Sequence, residues 1–235
     1  MTQAAEQLEA LLAARHSCRA FRPEPVPQPL IERMLAMAQR SASWCNSQPW
    51  QAIVTSGAAT ERVRQALFAH AEADQMAGER VALAQPDFPF PAHDAYQGVY
   101  RERRREVGWQ LYRSVGIAHG DRAASLQQAL LNFSLFGAPH MLMITSERDL
   151  GVYGALDCGL YLSNFMLAAQ SLGVATVAQA ALATYAPLMR ELLDIPENRV
   201  VVVGASFGYA DATHPANGFR AERAAVSEVA QFLND

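Results

Sequence analysis

The chain has 235 residues, 51% of them hydrophobic, and a formal net charge of −4. That is enough apolar material for one large domain over residues 1–235, and the mild acidity excludes the broad basic face by which proteins grip nucleic acid. No stretch approaches the roughly 18 to 20 apolar residues that span a bilayer, and Met1–Glu9 lacks the basic head and apolar core of a secretory signal, so no membrane partner and a cytoplasmic location are expected.

Thr2 to Ala14 reads as a helix with Leu8, Leu11 and Leu12 in an apolar stripe. Arg15-His16-Ser17-Cys18-Arg19 follows. In extended backbone, side chains alternate, so Arg15, Ser17 and Arg19 share one face. Two guanidinium forks flanking a hydroxyl suit a phosphate, because each planar fork can hold two oxygens at once. The competing reading is two solvated surface arginines around a serine. The prolines at 23, 25 and 27 rule out a helix there. A second helix fits Pro29 to Arg40, with Ile31, Met34, Leu35 and Ala38 at helical spacing. The loop Ser41-Ala42-Ser43-Trp44-Cys45-Asn46-Ser47-Gln48-Pro49-Trp50 then offers hydroxyls and amides to a planar ligand with a polar edge.

Trp50 to Thr55 reads as a strand and 59–74 as a helix. From about 75 to 121 the chain changes texture: prolines interrupt it, and Phe88, Phe90, Tyr96, Tyr100, Trp109 and Tyr112 make it aromatic. A long irregular insertion of this kind is expected to be a lid over a site, or aromatic packing of the insertion onto its own domain. Arg101-Glu102-Arg103-Arg104-Arg105-Glu106 within it reads as an exposed helix with paired charges, or as a lure for an anionic substrate. Ala123 to Phe136 is helical, Pro139 to Thr145 a buried strand, and Tyr153 to Leu172 a helix apolar nearly all round, which belongs in a core or an interface. Gly173 ends it. Val174 to Ala178 should be a strand, Pro187 to Leu193 a helix and Arg199 to Phe207 a strand; residues 209–235 form an arm ending in a short helix. Cys18, Cys45 and Cys158 are odd in number and widely spaced, against a disulfide framework or a zinc site. No Gly-x-Gly-x-x-Gly follows a strand, so the dinucleotide fingerprint of doubly wound folds is missing.

Arg15-His16-Ser17-Cys18-Arg19, Phe21, Pro23, Pro25-Val26-Pro27, and then Ser43, Asn46 and Gln48-Pro49-Trp50, resemble the N-terminal pattern of the flavin-dependent nitroreductase family. Ala42 stands where that pattern usually has proline, and Trp44 where a second serine is common. The likeness continues through Asp157-Cys158-Gly159, Ser171-Leu172-Gly173, Leu192-Leu193-Asp194-Ile195-Pro196-Glu197 and Gly208-Tyr209, and His214-Pro215-Ala216-Asn217 with Arg220-Ala221-Glu222-Arg223 is closest to the nitrobenzoate-reductase-like branch.

The resemblance implies an α+β fold, a mixed and largely antiparallel sheet flanked by helices, in an intertwined homodimer with shared active sites. It implies FMN as cofactor, NADH or NADPH as reductant and a nitroaromatic or quinone as substrate, in a ping-pong cycle. Reductive dehalogenation, desaturation or a non-catalytic flavin-binding role are the alternatives it leaves. By position, Arg15 and Ser17 with Arg223 and Arg220 would hold the flavin phosphate, His16 the ribityl chain or ring edge, and Arg19 the ring's N1 and O2 edge. Ser43, Trp44 and Asn46 would come from the second subunit, Asn132 would reach the pyrimidine side, and the amides of Ala180 and Ala181 would meet N5 and O4. Phe88, Phe90, Tyr96, Trp109 and Tyr112 would line the substrate pocket. No side chain is expected to act as acid, base or nucleophile, because the flavin carries the chemistry, and Arg19 would stabilise the charge that develops on it.

Overall fold

The computed structural model describes residues 2–76 and 84–234. Helix α1 (Gln3–Ala14) starts at Thr2, whose hydroxyl accepts the Ala5 N–H. Helix α2 (Gln28–Ala38) starts at a proline pair and buries Ile31, Met34 and Ala38. Strand β1 (Gln51–Ser56), helix α3 (Ala58–Met76), helix α4 (Gly98–Ser114), helix α5 (Arg122–Leu130), strand β2 (His140–Glu147), helix α6 (Gly151–Ser171), strand β3 (Ala175–Gln179), helix α7 (Ala186–Leu193), strand β4 (Arg199–Gly208) and the single turn α8 (Val226–Val229) follow.

The four strands lie in the order β1-β2-β4-β3, every neighbouring pair antiparallel. Beside them Ser17 makes a parallel bridge to Thr176 of β3, so the expected mixed, largely antiparallel sheet is what forms. The sheet is covered on both faces, and the alternation along β2 shows it. Leu142 and Ile144 pack with Trp50, Phe165 and Phe207 under α2 and α6, while Met141 and Met143 pack with Leu67, Leu182 and Met189 under α3 and α7. A strand buried on both faces reads as a continuous apolar run, which is why 139–145 was legible.

The pairing of β2 with β4 shifts register by a bulge between Ile144 and Thr145, and Arg199 opens β4 opposite Glu147. Its buried guanidinium donates to the Thr145 carbonyl, the Thr145 hydroxyl and the Pro49 carbonyl, each within 2.7–2.8 Å. Pro49 ends the polar loop that precedes β1, so this bond anchors the loop to the central strands. Gly173 takes a φ of +74° where α6 gives way to β3. Gly208, where β4 becomes the C-terminal arm, has no room for a side chain: an added Cβ would come within 2.6 Å of Pro139.

Two expectations need correction. The insertion is not irregular throughout, since α4 occupies 17 residues of it; the exposed helix read from the charged run at 101–106 is there, but it extends over Gly98–Ser114, beyond what its weak apolar stripe marks. The helix expected over Ala123 to Phe136 ends at Leu130, because Leu135 and Phe136 take φ values of +58° and +51° in a tight turn before β2. Residues 77–83 of the expected lid lie outside the described residues. Among those described, no helix is long and apolar enough to cross a membrane.

One face of α6 is left uncovered within the chain. Val152, Tyr153, Leu156 and Leu160 recur at helical spacing and are 45–71% exposed. Helix α1 likewise buries none of its residues, with Leu8 and Leu12 about half exposed.

His140 opens β2 in a dry environment. Its Nε2 accepts the Val26 N–H at 2.9 Å, its Nδ1 lies 2.8 Å from the Ser56 hydroxyl and 3.2 Å from the Thr55 carbonyl, and the ring stacks on Phe207. The neutral ring is therefore required, and burial pushes its pKa below the ordinary histidine value, opposed in part by the Thr55 carbonyl. A depressed folded pKa contributes stability at pH above the unfolded value of about 6.5, and that contribution falls away as pH drops from there to the folded pKa. The unfolding free energy from urea titration should decline over that interval with a slope of up to ~1.4 kcal/mol per pH unit. His140→Gln, less stable at every pH, should lack this part of the slope. Parallel pH profiles for the two proteins would contradict it.

Candidate active site

The segment after α1 runs as an extra strand, and the alternation expected of it holds. The Cys18 N–H donates to the Thr176 carbonyl at 3.0 Å and the Cys18 side chain is fully buried. Arg15, Ser17 and Arg19 turn the other way, into a cavity of about 440 Å³. His16 lines it too, with Nδ1 held 3.0 Å from the Ala14 carbonyl. From the far end of the chain come Phe219, Arg220 and Arg223, and from α4 Val107.

The electrostatics of this cleft are one-sided. Among the described residues, none of Arg15, Arg19, Arg220 and Arg223 pairs with a carboxylate. Arg220 and Arg223 donate only to nearby main-chain carbonyls, and Arg19 leans over the Phe219 ring at 5.9 Å. Burial pushes the Arg15 guanidinium below its ordinary pKa, and the neighbouring Arg223 charge pushes it further. Arg19 is lowered by burial as well. His16 is held low chiefly by burial; the Ala14 carbonyl opposes this, while Arg220, Arg15 and Arg19 add to it. Four cations gathered around one cavity without a counter-charge make a site for an anion, and forked donors beside a hydroxyl fit the tetrahedral oxygens of a phosphate. The residues present therefore suit a phosphorylated cofactor such as FMN.

The Ser43–Gln48 loop lies elsewhere in the chain. Trp44, Cys45 and Ser47 border a separate cavity of about 300 Å³ with Asp149, Tyr153 and Asp157. Cys45, Asn46 and Gln48 have φ values of +52°, +55° and +47°, each costing ~1–3 kcal/mol for a residue with a side chain. The bonds that hold this shape are specific. The buried Asp157 carboxylate accepts the Trp44 N–H at 3.1 Å, the Ser43 hydroxyl accepts the Gln48 N–H at 3.0 Å, and Gln39 ties Gln48 to the Trp50 indole. Trp44 is 58% exposed, its ring against the edge of Tyr153 at 4.2 Å. Within one chain, then, Ser43, Trp44 and Asn46 are not brought to the arginine cleft.

Ala180 and Ala181 form a short turn directly after β3. Gln179, buried at the end of that strand, donates to the Asn132 carbonyl at 2.9 Å and accepts from the Ser206 hydroxyl at 2.5 Å. Asn132 is thus hydrogen-bonded to the residue that precedes Ala180. Of the aromatic residues, Tyr112 and Trp109 line cavities on α4, Tyr96 lies under Arg104 at 5.0 Å, Phe88 is half-buried and Phe90 exposed. The root of the insertion is tied down: the Gln85 N–H donates to the Thr184 carbonyl, and Asp87 accepts from Arg190 and from the Val201 N–H at 2.5 and 2.6 Å. The basic run on α4 does not form an anion trap. Arg103 pairs with Glu228, Arg105 covers Trp109, and the adjacent cavity also holds Glu102, Glu106 and Glu222.

Sequence reasoning missed Phe219, Val107 and Gln179. Phe219 sits between Gly218 and Arg220 and was within reach as an aromatic in a basic tail; nothing local marks Val107, which reaches the cleft only through the packing of α4.

The sequence profile described as "Nitroreductase family" matches residues 12–209. The chain is 38% identical over 229 residues to "Nitroreductase NfnB" of Mycolicibacterium smegmatis, covering 97% of this chain and 93% of that protein. It is 31% identical over 228 residues to a 4-nitrobenzoate reductase of Pseudomonas putida, covering 97% and 96%. The crystal structure of the FMN-dependent nitroreductase NfnB from Mycobacterium smegmatis in complex with NADPH matches at a TM-score of 0.90 and 35% identity, over 99% of this chain and 100% of that one.

Because Arg15 and Arg223 repel one another, Arg223→Ala should leave the thermal midpoint of the ligand-free protein unchanged or higher. At low ionic strength the same variant should need at least ~10-fold more inorganic phosphate for the thermal shift that the parent shows, a loss of ~1.4 kcal/mol. A destabilised variant with an unaltered phosphate response would contradict the assignment.

Proposed function

The chain belongs to the nitroreductase family, and from that membership we propose that it is an FMN-dependent oxidoreductase that passes electrons from NADPH or NADH to a nitroaromatic compound or a quinone. The observation that carries this reading is the cluster of Arg15, Arg19, Arg220 and Arg223 around one cavity with no carboxylate partner. Support comes from the NfnB relative, an FMN-dependent enzyme captured with NADPH, and from the nitrobenzoate reductase. When bound, FMN supplies a two-electron carrier between reductant and acceptor. The net two-electron step is NAD(P)H + H⁺ + ArNO₂ → NAD(P)⁺ + ArNO + H₂O.

The protein's contribution is binding, orientation and electrostatics. Arg15, Ser17, Arg220 and Arg223 would hold the phosphate and so set the direction in which the ring leaves the cleft. Arg19, half-buried and braced by Phe219, lies along the strand from the phosphate groups, where a fixed cation beside the ring's N1 and O2 edge favours added electron density. His16, with its Nδ1 committed to Ala14, adds the neutral ring face that its depressed pKa keeps uncharged at pH 7. The main-chain amides of Ala180 and Ala181, at the turn that follows Gln179, would meet the opposite ring edge. Trp109 and Tyr112, which border neighbouring cavities on α4 rather than the arginine cleft itself, would wall the substrate side and help exclude water.

The site is completed by a second copy of the chain. The uncovered apolar face of α6, with Trp44 leaning on Tyr153, and the unburied α1 together form a surface that a monomer would leave in water. Pairing of two chains across it covers these residues and brings Ser43, Trp44 and Asn46 of one protomer to the arginine cleft of the other. The strained loop is then a rigid wall for a planar ring, paid for by the Asp157 and Gln48 bonds described above.

Steady-state rates of NADPH oxidation with a nitroaromatic acceptor test the reaction. Reductant and acceptor use one site in turn, so reciprocal plots at several acceptor concentrations should be parallel; intersecting lines would refute alternation, and no acceptor-dependent oxidation by flavin-loaded protein would refute the activity. The shared site is tested by co-expressing Arg15→Ala and Asn46→Ala chains. Each variant alone should be poorly active, while the mixed dimer regains one intact site; no recovery would place both residues in one chain's site.

A further inference from the structure

We propose that Asn217 is the positioning residue that assembles the phosphate-binding arginines, its carboxamide standing in for a peptide unit of a missing strand; the inference rests on the reading of the arginine cleft given above. The two ends of the chain meet as paired strands. The Arg22 N–H donates to the Tyr209 carbonyl at 2.8 Å, the Asp211 N–H to the Ala20 carbonyl at 3.0 Å, and Phe21 bridges Ala210. After Asp211 the arm leaves this pairing. Asp211 accepts from the Thr213 N–H and hydroxyl at 2.9 and 2.6 Å, and the His214 ring accepts the Ala216 N–H at 3.2 Å. This turn brings residue 217 back against the edge that the main chain has vacated.

There the Asn217 Oδ1 accepts the Arg19 N–H at 2.7 Å, and its Nδ2 donates to the Ala20 and Asp211 carbonyls at 2.9 Å each. A carboxamide carries a peptide group's acceptor and donor plus one further N–H, so it satisfies a strand edge where no strand residue remains. The clasp is dry, with Asn217 only 7% exposed. Its place is what matters for the site. Cys18, one residue before Arg19, bonds to β3 on the opposite edge, so the arginine-bearing strand is gripped from both sides. The Asn217 carbonyl in turn accepts from the Arg220 guanidinium at 2.9 Å. Phe219, Arg220 and Arg223 follow directly, already returned to the cleft. Like charges without a counter-ion move apart unless the backbone holds them, and Asn217 is the side chain joining the two backbones that carry them. Aspartate keeps the acceptor but loses both donors and adds a negative charge beside the cluster; alanine leaves the buried Arg19 N–H unpaired and takes one of their donors from the Ala20 and Asp211 carbonyls.

The test compares FMN with riboflavin, which shares the ring and ribityl chain but lacks the phosphate, titrated into cofactor-stripped full-length protein by flavin fluorescence. The parent should prefer FMN strongly. Asn217→Asp and Asn217→Ala should weaken FMN at least ~10-fold while riboflavin changes less than ~3-fold, so the FMN-to-riboflavin preference falls. An equal loss for both flavins, or an unchanged preference, would reduce Asn217 to a fold residue and overturn the proposal. Should alanine prevent folding, the isosteric aspartate variant decides; if that also fails to fold, the role is structural and the proposal fails. A parent protein without FMN preference would instead remove the arginine–phosphate reading itself, and this proposal with it.

Discussion

The constraint on which the candidate site depends is the enforced closeness of like charges. Arg15 and Arg223 lie more than two hundred residues apart in sequence, yet in the folded chain the Arg223 charge depresses the pKa of Arg15. Repulsion of this kind is unfavourable in the ligand-free protein and is tolerated only because hydrogen bonds with no charge of their own fix the backbone on both sides. β3 supplies one of these through Thr176, and the arm supplies the rest through Tyr209, Asp211 and Asn217. An anion that enters relieves the repulsion, so part of its affinity is stored in the fold before it arrives.

The rest of the architecture serves that arrangement. The central strands β2 and β4 are buried on both faces and provide the rigid reference from which β3 and the arm depart. Arg199 carries the same rigidity outward to the polar loop through Pro49. Asp87, held by Arg190 and β4, does so for the root of the aromatic insertion. Both candidate walls of the substrate space are therefore tied to the sheet by buried charged groups with several partners each, a combination that resists displacement because breaking it strands a charge. The insertion beyond that root rests on α4, whose contacts are exposed aromatic and guanidinium pairs, so it is the part freest to adapt to substrates of different shape.

Much of this was legible in the residues. The strands and most helices appear where apolar alternation or helical spacing placed them, and the extended Arg15–Arg19 face is real. What escaped was of two kinds. The charge pairs at 101–106 announced the middle of α4, but with no buried face its full extent over Gly98–Ser114 had no apolar pattern to mark it, and the early end of α5 is imposed by the left-handed backbone at Leu135 and Phe136, which no side-chain type there announces. The clasp made by Asn217 was also beyond local reading. His214-Pro215-Ala216-Asn217 looks like an ordinary turn, and its meaning lies in which main-chain groups it returns to.

By itself the sequence determined whatever depends on neighbouring residues: which segments bury one face or two, where proline forbids a helix, and that two arginines and a serine must share a side of an extended chain. Those follow from bond geometry over a few residues. The tertiary structure decided which distant groups meet. It brought Arg220 and Arg223 to Arg15 and Arg19, left Trp44 and Asn46 on another surface of the same chain, and placed Asn132 beside the turn at Ala180. Such meetings are set by sheet register and by the route of the C-terminal arm, both of which are products of the whole core rather than of any one stretch.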